Sequence, residues 1–324
     1  MDRPEHALVA GGAGFVGSNL CEALVRSGSA VTCIDNLSTG RHSNLGALLD
    51  WPEFRFVRAD LLDALPEIGT VDRIYHLASP ASPPGYKRLP IETIRVNTEG
   101  TLRLLELAQR HGARFLFAST SEAYGDPLEH PQREDYRGNV SSVGPRSMYD
   151  ESKRCGEALT VAFEQTYAVD ARIVRIFNTY GPRSDPADGR LVPNFICQAL
   201  AGEPMTVYGT GEQTRSLCYV DDLVRGLIAV MESEAARGEV INLGNPDEHT
   251  VMEYAEIVRH LTGSSSHIVH REPAVGDDPQ RRRPDIGKAR ALLGWHPIIA
   301  LAEGLAATID YFRQETLVVA ELTA

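Results

Sequence analysis

The run Leu8-Val9-Ala10-Gly11-Gly12-Ala13-Gly14-Phe15-Val16-Gly17 decides the fold. A short apolar strand leads into glycines spaced G-x-x-G-x-x-G (Gly11, Gly14, Gly17), and a helical pattern follows as far as Arg26. Glycine at these places permits a tight turn, lets the backbone approach a pyrophosphate and allows close helix packing, while the helix N-terminus faces the anionic phosphates. Plain strand-to-helix connectors also carry glycines, so the next strand matters. It runs from Ala30 and ends at Asp35, eighteen positions after Gly17. An acidic side chain there accepts hydrogen bonds from an adenosine ribose diol and repels a 2'-phosphate, which favours NAD over NADP. Asp60, followed by Leu61, closes the third β-rich run (Phe54 to Asp60), where such folds read an adenine amine.

Outward from this turn, β-branched runs alternate with helical patterns: Val71 to Ala78, a helix from Ile91 to Gln109, Arg114 to Ser119, a helix from Tyr149 to about Tyr167, and Ala171 to Phe177. Such alternation predicts an α/β fold, a doubly wound parallel (Rossmann) sheet with helices on both faces. Beyond Asn178 the pattern becomes irregular and rich in Gly and Pro. The expected division is a dinucleotide-binding domain of residues 1–178 and 217–246, with a smaller mixed α/β substrate-binding lobe of residues 179–216 and 247–324.

Bulk properties exclude several classes. A net charge of -12 over 324 residues argues against a nucleic-acid or anionic-membrane surface, both of which need a broad cationic footprint. Five scattered cysteines without a CxxC pair and ten histidines without ligand spacing predict neither a disulfide framework nor a metal site. No window approaches the ~20 apolar residues of a spanning helix, and no cationic leader precedes an apolar run near Met1, so the expectation is a cytoplasmic protein.

Two further stretches carry chemistry. Tyr149 and Lys153 stand i, i+4 on one helix face. A free phenol has a pKa of about 10, and an adjacent ammonium is expected to stabilise the phenolate and supply a base near neutral pH. Upstream, Ser119-Thr120-Ser121-Glu122 places hydroxyls and a carboxylate at a strand end. Together these are the parts for removing a proton from an alcohol while a nicotinamide takes its hydride. The long Pro-, Gly- and Asp-rich segment from Asp126 to Arg146 lies between them, as a functional loop would.

With these residues the chain resembles the extended short-chain dehydrogenase/reductases, over nearly its whole length. Within them it resembles the UDP-glucuronate decarboxylases (UDP-xylose synthases), through HLASPASPP from His76, STSEAYGDP from Ser119, GPRSMYDESKR from Gly144, RIFNTYGPR from Arg175, VYGTGEQTRS from Val207, VINLGNPDEHT from Val240 and DDPQRRRPDI from Asp277. The resemblance implies that Tyr149 takes the proton of the sugar 4-hydroxyl as bound NAD accepts the C4 hydride, with Thr120 hydrogen-bonding the same oxygen. The resulting β-keto acid loses CO2, C5 is reprotonated and C4 is reduced again. By the same resemblance Glu122 and Arg282 lie at the substrate carboxylate with Ser121 between them, one of Arg281, Arg282 and Arg283 meeting an anion. Tyr86, Arg95, Asn178, Arg190 and Arg215 are implied on the UDP-sugar. The implied cofactor shell is Gly14, Phe15, Val16, Asp35, Asn36, Thr39, Gly40, Asp60, Leu77, Ser79, Ala118, Thr179 and Arg190, besides Tyr149 and Lys153. Relatives pair the helices from Ile91 and Tyr149 into a homodimer contact.

Ser38 replaces an aromatic frequent in that family, and Ser152 a glycine, which bears on adenine stacking and helix packing. The competing chemistries are a nucleotide-sugar 4,6-dehydratase, which needs an acid where Ser121 stands, and a 4-epimerase, which needs neither Glu122 nor Arg282. A catalytically silent nucleotide-sensing module would have no need of Tyr149 and Lys153.

Overall fold

The structure is a computed structural model that describes residues 4–272 and 281–323, with residues 316–323 as helix backbone only. The start of the chain near Met1, the first four residues of the Asp277–Ile286 motif and Ala324 lie outside the described residues.

Strands β1 (His6–Ala10), β2 (Ala30–Asp35), β3 (Phe54–Arg58), β4 (Arg73–His76), β5 (Arg114–Thr120) and β6 (Ala171–Ile176) join the strand Val240–Leu243 in one parallel sheet. Its order is Val240–Leu243, β6, β5, β4, β1, β2, β3, so the winding reverses beside β1. In such sheets ligands sit beyond the carboxyl ends of the strands at that reversal.

Both faces are covered, and the strand residues divide by parity. Ala7, Val9, Cys33, Leu116 and Val174 pack with Leu20 and Leu24 of helix α1 (Phe15–Arg26) and with the helix Val220–Glu232. Leu8, Ala10, Ile34, Phe115, Phe117 and Ile173 pack on the opposite side with Leu104, Leu105 and Phe163. Each such fully buried aliphatic or aromatic side chain contributes roughly 1.5–3 kcal/mol by leaving water. The first cluster continues without interruption into Phe195, Met205, Tyr254 and Leu305, so the segments after Asn178 share one core with the sheet.

The helix expected from Ile91 to Gln109 is divided. After helix α2 (Pro83–Arg88), Pro90 opens α3 (Pro90–Arg95), a π turn occupies Val96–Gly100, and α4 (Thr101–His111) follows. The wider turn lets Asn97 point inward and donate to the Ser152 hydroxyl at 3.0 Å, which ties the segment to helix α5 (Ser147–Tyr167). Ser152 therefore serves the packing it was expected to disturb. α5 reaches the sheet at Gly156, where any Cβ would collide with the Phe117 ring. β3 stops at Arg58, and Asp60 lies beyond it in a turn, its Oδ1 accepting from the Leu62 amide at 2.9 Å.

Candidate active site

At the β1 carboxyl end Gly11 has φ +80°, and a Cβ there would lie 2.6 Å from the Ala78 nitrogen. Only glycine fits both the left-handed backbone and the approach of the neighbouring chain. Gly14 caps α1 without a side chain, leaving the helix N-terminus open, and Gly17 is buried against the Gly11 carbonyl. Phe15 and Val16 begin the helix and pack on the first core cluster.

Gly11, Gly14, Asp35, Asn36, Thr39, Gly40, Asp60, Leu61, Leu77 and Ser79 line one cleft at this end. Asp35 is buried, and its carboxylate accepts from the Ala13 amide at 3.0 Å and the Leu37 amide at 2.8 Å. Burial pushes its carboxyl up, and those two amides pull it down less. A carboxylate has about four lone-pair sites, so two remain for a diol. Asn36 donates to Asp60 at 2.8 Å, fixing the far wall. A glycine cradle followed by a strand-end carboxylate fits a dinucleotide with a free ribose diol.

The reactive candidates meet at the ends of β5 and α5. The Thr120 hydroxyl stands beside the Tyr149 phenol and favours its ionised form. Tyr86 is buried on α2 and stacks on the Tyr149 ring, with centroids 5.3 Å apart and planes 15° apart. Lys153 is buried, donates to the Ala118 carbonyl at 2.8 Å, and holds its ammonium 5.9 Å from the Tyr149 ring centre. The expected lowering of the phenol by this ammonium is not found. Burial pushes Tyr149 well above the usual tyrosine value, with Thr120 pulling down less, and burial lowers Lys153 to about 7. Desolvation disfavours the charged form of each and is the largest influence on both.

Ser121 is buried at the head of the 3-10 turn Ser121–Tyr124, which presents Glu122. Both Glu122 oxygens bond Arg282, whose Nη2 lies at 2.9 Å, and Oε2 also accepts from Arg146 at 3.1 Å. Burial alone would raise this carboxyl, but the charges of Arg282 and Arg146 hold it below the usual glutamate value. Of the three successive arginines Arg282 is the buried one, whereas Arg281 is exposed and Arg283 approaches Glu248 at 3.8 Å. Arg190 pairs with Asp188 at 3.4 Å and bonds the Ala81 carbonyl, and its charge is felt by both Glu122 and Tyr149. Thr179 and Asn178 stand just after β6. Arg215 lies in a two-stranded antiparallel pair opposite His249. Arg95 is not brought into this set. It is half exposed on α3 and forms a two-pronged pair with Glu99, both bonds 2.9 Å, as the i, i+4 spacing on a helix surface favours.

Two residues of the site escaped the sequence reading. Arg146 sits in a Pro/Ser-rich loop and gave no periodic signal. Asp150 follows Tyr149 in the first turn of α5, where an acidic residue ordinarily complements the helix dipole at the surface. Here it is buried, and the charges of Glu122, Arg146 and Arg282 all act on it.

A cleft at the sheet's reversal point, with a tyrosine, a lysine and a threonine beside it, is the layout of a family whose profile matches residues 7–244, the NAD dependent epimerase/dehydratase family. The chain belongs to it. Among members of the epimerase/dehydratase family, UDP-glucuronic acid decarboxylase 1 of Danio rerio is 52% identical over 308 residues, 95% of this chain and 72% of that protein. The protein of the same name in Arabidopsis thaliana is 51% identical over 310 residues, 96% of this chain and 70% of its own. Among solved structures of this family, the UDP-glucuronic acid 4-epimerase of Bacillus cereus in complex with UDP-glucuronic acid and NAD superposes with a TM-score of 0.86 at 31% identity, covering 96% of this chain and 99% of that one. The UDP-glucose 4-epimerase of Thermotoga maritima with UDP-glucose gives 0.88 at 32% identity, covering 96% and 99%.

Proposed function

We propose that this chain is a UDP-glucuronate decarboxylase that makes UDP-xylose with NAD as a recycled cofactor. The observation that carries the proposal is the part-buried Glu122 carboxylate, held by Arg282 and Arg146 close enough for its charge to act on Tyr149. An epimerase breaks no carbon–carbon bond and so needs no acid/base partner at C5, and half of the aligned positions agree with proteins named for the decarboxylation. NAD belongs to the cleft of Gly11, Gly14, Asp35, Asn36, Thr39, Gly40, Asp60, Leu61, Leu77 and Ser79, with Phe15, Val16, Gly17, Ala118, Lys153, Thr179 and Arg190 around it. When bound, it supplies a hydride acceptor that is restored within each turnover.

The chain's own groups do the rest. Tyr149, with Thr120 beside it, receives the proton of the sugar 4-hydroxyl as a phenolate, the form that the positive charge of a bound nicotinamide would favour against burial; loss of that proton together with the C4 hydride leaves a ketone β to the carboxylate. Arg282 and Arg146 orient that carboxylate bidentately, a geometry that suits guanidinium forks. As CO2 departs, the C5–C6 electron pair delocalises into C5–C4–O4, and Thr120 and Tyr149 stabilise the negative oxygen by hydrogen bonding. Glu122 is the acid/base partner for C5, with Ser121 packed beside it. Arg190, Asn178, Tyr86 and Arg215 hold the nucleotide sugar, supported by the second lobe of residues 179–216 and 247–324.

Among the described residues no helix is long and apolar enough to cross a membrane. The cysteines Cys21, Cys33, Cys155, Cys197 and Cys218 are unpaired, which supports residence in the reducing cytoplasm. A homodimer through α3, α4 and α5 is supported by exposed Ile91, Ile94, Leu102 and Val161 on those helices.

UDP-glucuronate incubated with the enzyme and no added cofactor is expected to yield a sugar nucleotide lighter by one CO2. A product lighter by one water would establish a dehydratase. An unchanged mass with an inverted C4 would establish the second reading, a UDP-glucuronic acid 4-epimerase, which the Bacillus cereus superposition favours.

A further inference from the structure

Asp150 is 7% exposed, and its Oδ1 is buried with no hydrogen-bond partner among the described residues. A buried acceptor left unpaired is destabilising, so a proton donor, or a proton, is what this oxygen lacks. Glu122 faces it from the turn after β5, Tyr86 from α2, Arg282 from the segment 281–286, and Arg146 from the head of α5, with Tyr149 and Glu151 beside it on the helix itself. Glu122 already occupies both guanidinium groups. Two carboxyl groups therefore share two arginines before any substrate arrives.

The reaction supplies the reason for such a group. Decarboxylation of an anionic acid consumes one proton: the C5–C6 bond breaks, its electrons pass into the C4 carbonyl, and a C5–H bond forms as CO2 leaves. A substrate carboxylate entering beside Arg282 and Arg146 adds a further anion next to Glu122 and Asp150. The unpartnered carboxyl is the one neutralised at least cost, because protonation gives its orphan oxygen a hydrogen and removes a repulsion from Glu122.

Resting on the decarboxylase reading, we propose that Asp150 is a positioning residue that stores the consumed proton, taking it from solvent when the substrate carboxylate binds and passing it through Glu122 to C5 as CO2 leaves. Burial, and then the charge of Glu122, lift this carboxyl to about 7 even without a third anion, against the pull of Arg146 and Arg282. Near pH 8 it is thus ionised at rest and able to accept.

The test measures proton uptake on binding, by calorimetry in buffers of different ionisation enthalpy, using the NAD-loaded Tyr149→Phe variant so that no turnover occurs. UDP-glucuronate near pH 8 should draw in about one proton per site, and UDP-xylose, which lacks the carboxylate, none. Uptake should vanish in Tyr149→Phe/Asp150→Asn and return in Tyr149→Phe/Asp150→Glu. Equal uptake for the two nucleotides, a comparison that needs no change at Asp150, overturns the proposal, as does unchanged uptake in the Asp150→Asn double variant. CO2 release by the parent enzyme is measured in parallel. Its absence overturns the decarboxylase reading and this proposal together, whereas CO2 release with either contrary uptake result removes the role of Asp150 alone.

Discussion

At the residue scale the site is a set of buried ionisable groups whose charges are set by desolvation and by a few partners. Tyr149→Phe removes the proton acceptor and should lower turnover by about 10²–10⁴-fold with no 4-keto sugar formed, because general base catalysis contributes that much. Glu122→Gln should permit the first oxidation and accumulate the 4-keto species, which quenched-reaction mass spectrometry detects; equal turnover by both variants and the parent would refute these roles. Lys153 offers a stability test with a defined sign. Its folded value, near 7, lies below the ordinary 10.5 of a free lysine, so the unfolded chain binds more protons between those limits. Its contribution to stability is complete above about 10.5 and is lost as the pH falls towards 7. Lys153→Met should therefore raise Tm relative to the parent more at pH 7 than at pH 10, read by calorimetry at both values. The pairing of Tyr149 with Lys153 was legible from spacing alone, but the direction of their pKa shifts was not, because burial is a property of the fold and i, i+4 spacing reports only a shared face.

At the scale of elements, the loop from Asp126 to Arg146 becomes a clamp. Gln132 is fully buried and exchanges bonds with the segment that carries Arg282: its amide donates to the Arg283 carbonyl at 2.9 Å, its side-chain oxygen accepts from the Arg283 amide at 2.8 Å, and its carbonyl accepts from the Asp285 amide at 2.8 Å. Asn242, at the end of the outermost strand, donates to the Gln132 carbonyl at 3.1 Å and accepts from the Tyr124 hydroxyl at 2.7 Å. The clamp thus ties the segment that carries Arg282 to the edge strand and, through Tyr124, to the turn that presents Glu122. Gln132→Ala leaves the Arg283 amide and the Glu129 carbonyl without a partner, at roughly 1–3 kcal/mol. If that loss loosens Arg282, KM for UDP-glucuronate should rise about tenfold while kcat changes less; steady-state kinetics giving an unchanged KM would show that the clamp does not position the arginine. The sequence marked this segment as functional by its length and position. It could not show the clamp, since Gln132 and Arg283 are 151 positions apart and no local pattern links them. The π turn at Val96–Gly100 was hidden for the opposite reason: apolar periodicity runs through it, and the inward turn of Asn97 is decided by Ser152 on another helix.

At the scale of the whole molecule, the glycine turn, the strand-end aspartate and the alternation of strands and helices were enough to foresee a parallel sheet with two covered faces, because each follows from short-range periodicity and from the needs of a βαβ unit. The shared core was less visible, since Phe195, Met205, Tyr254 and Leu305 come from irregular segments that make sense only when packed. What the single chain leaves uncovered is also informative. Ile91 is 61% exposed, and Ile94, Leu102 and Val161 are each more than a third exposed, on helices α3, α4 and α5 that lie against one another. Scattered exposed aliphatics are ordinary, but a set on adjoining helices marks an interaction face. A second copy of the chain would bury that face symmetrically, the commonest arrangement for a soluble oligomer. Light scattering after gel filtration should then report twice the mass of the 35.4 kDa chain, and Ile91→Asp/Ile94→Asp should yield monomer by placing unpaired charges in a desolvated contact. α5 carries Tyr149, Asp150 and Lys153 on one side and Val161 further along, so monomerisation should also lower turnover by loosening the helix that holds the reactive groups. A variant that is monomeric and fully active would place dimerisation outside catalysis, and a parent that elutes as monomer at every concentration would leave the apolar face for another partner.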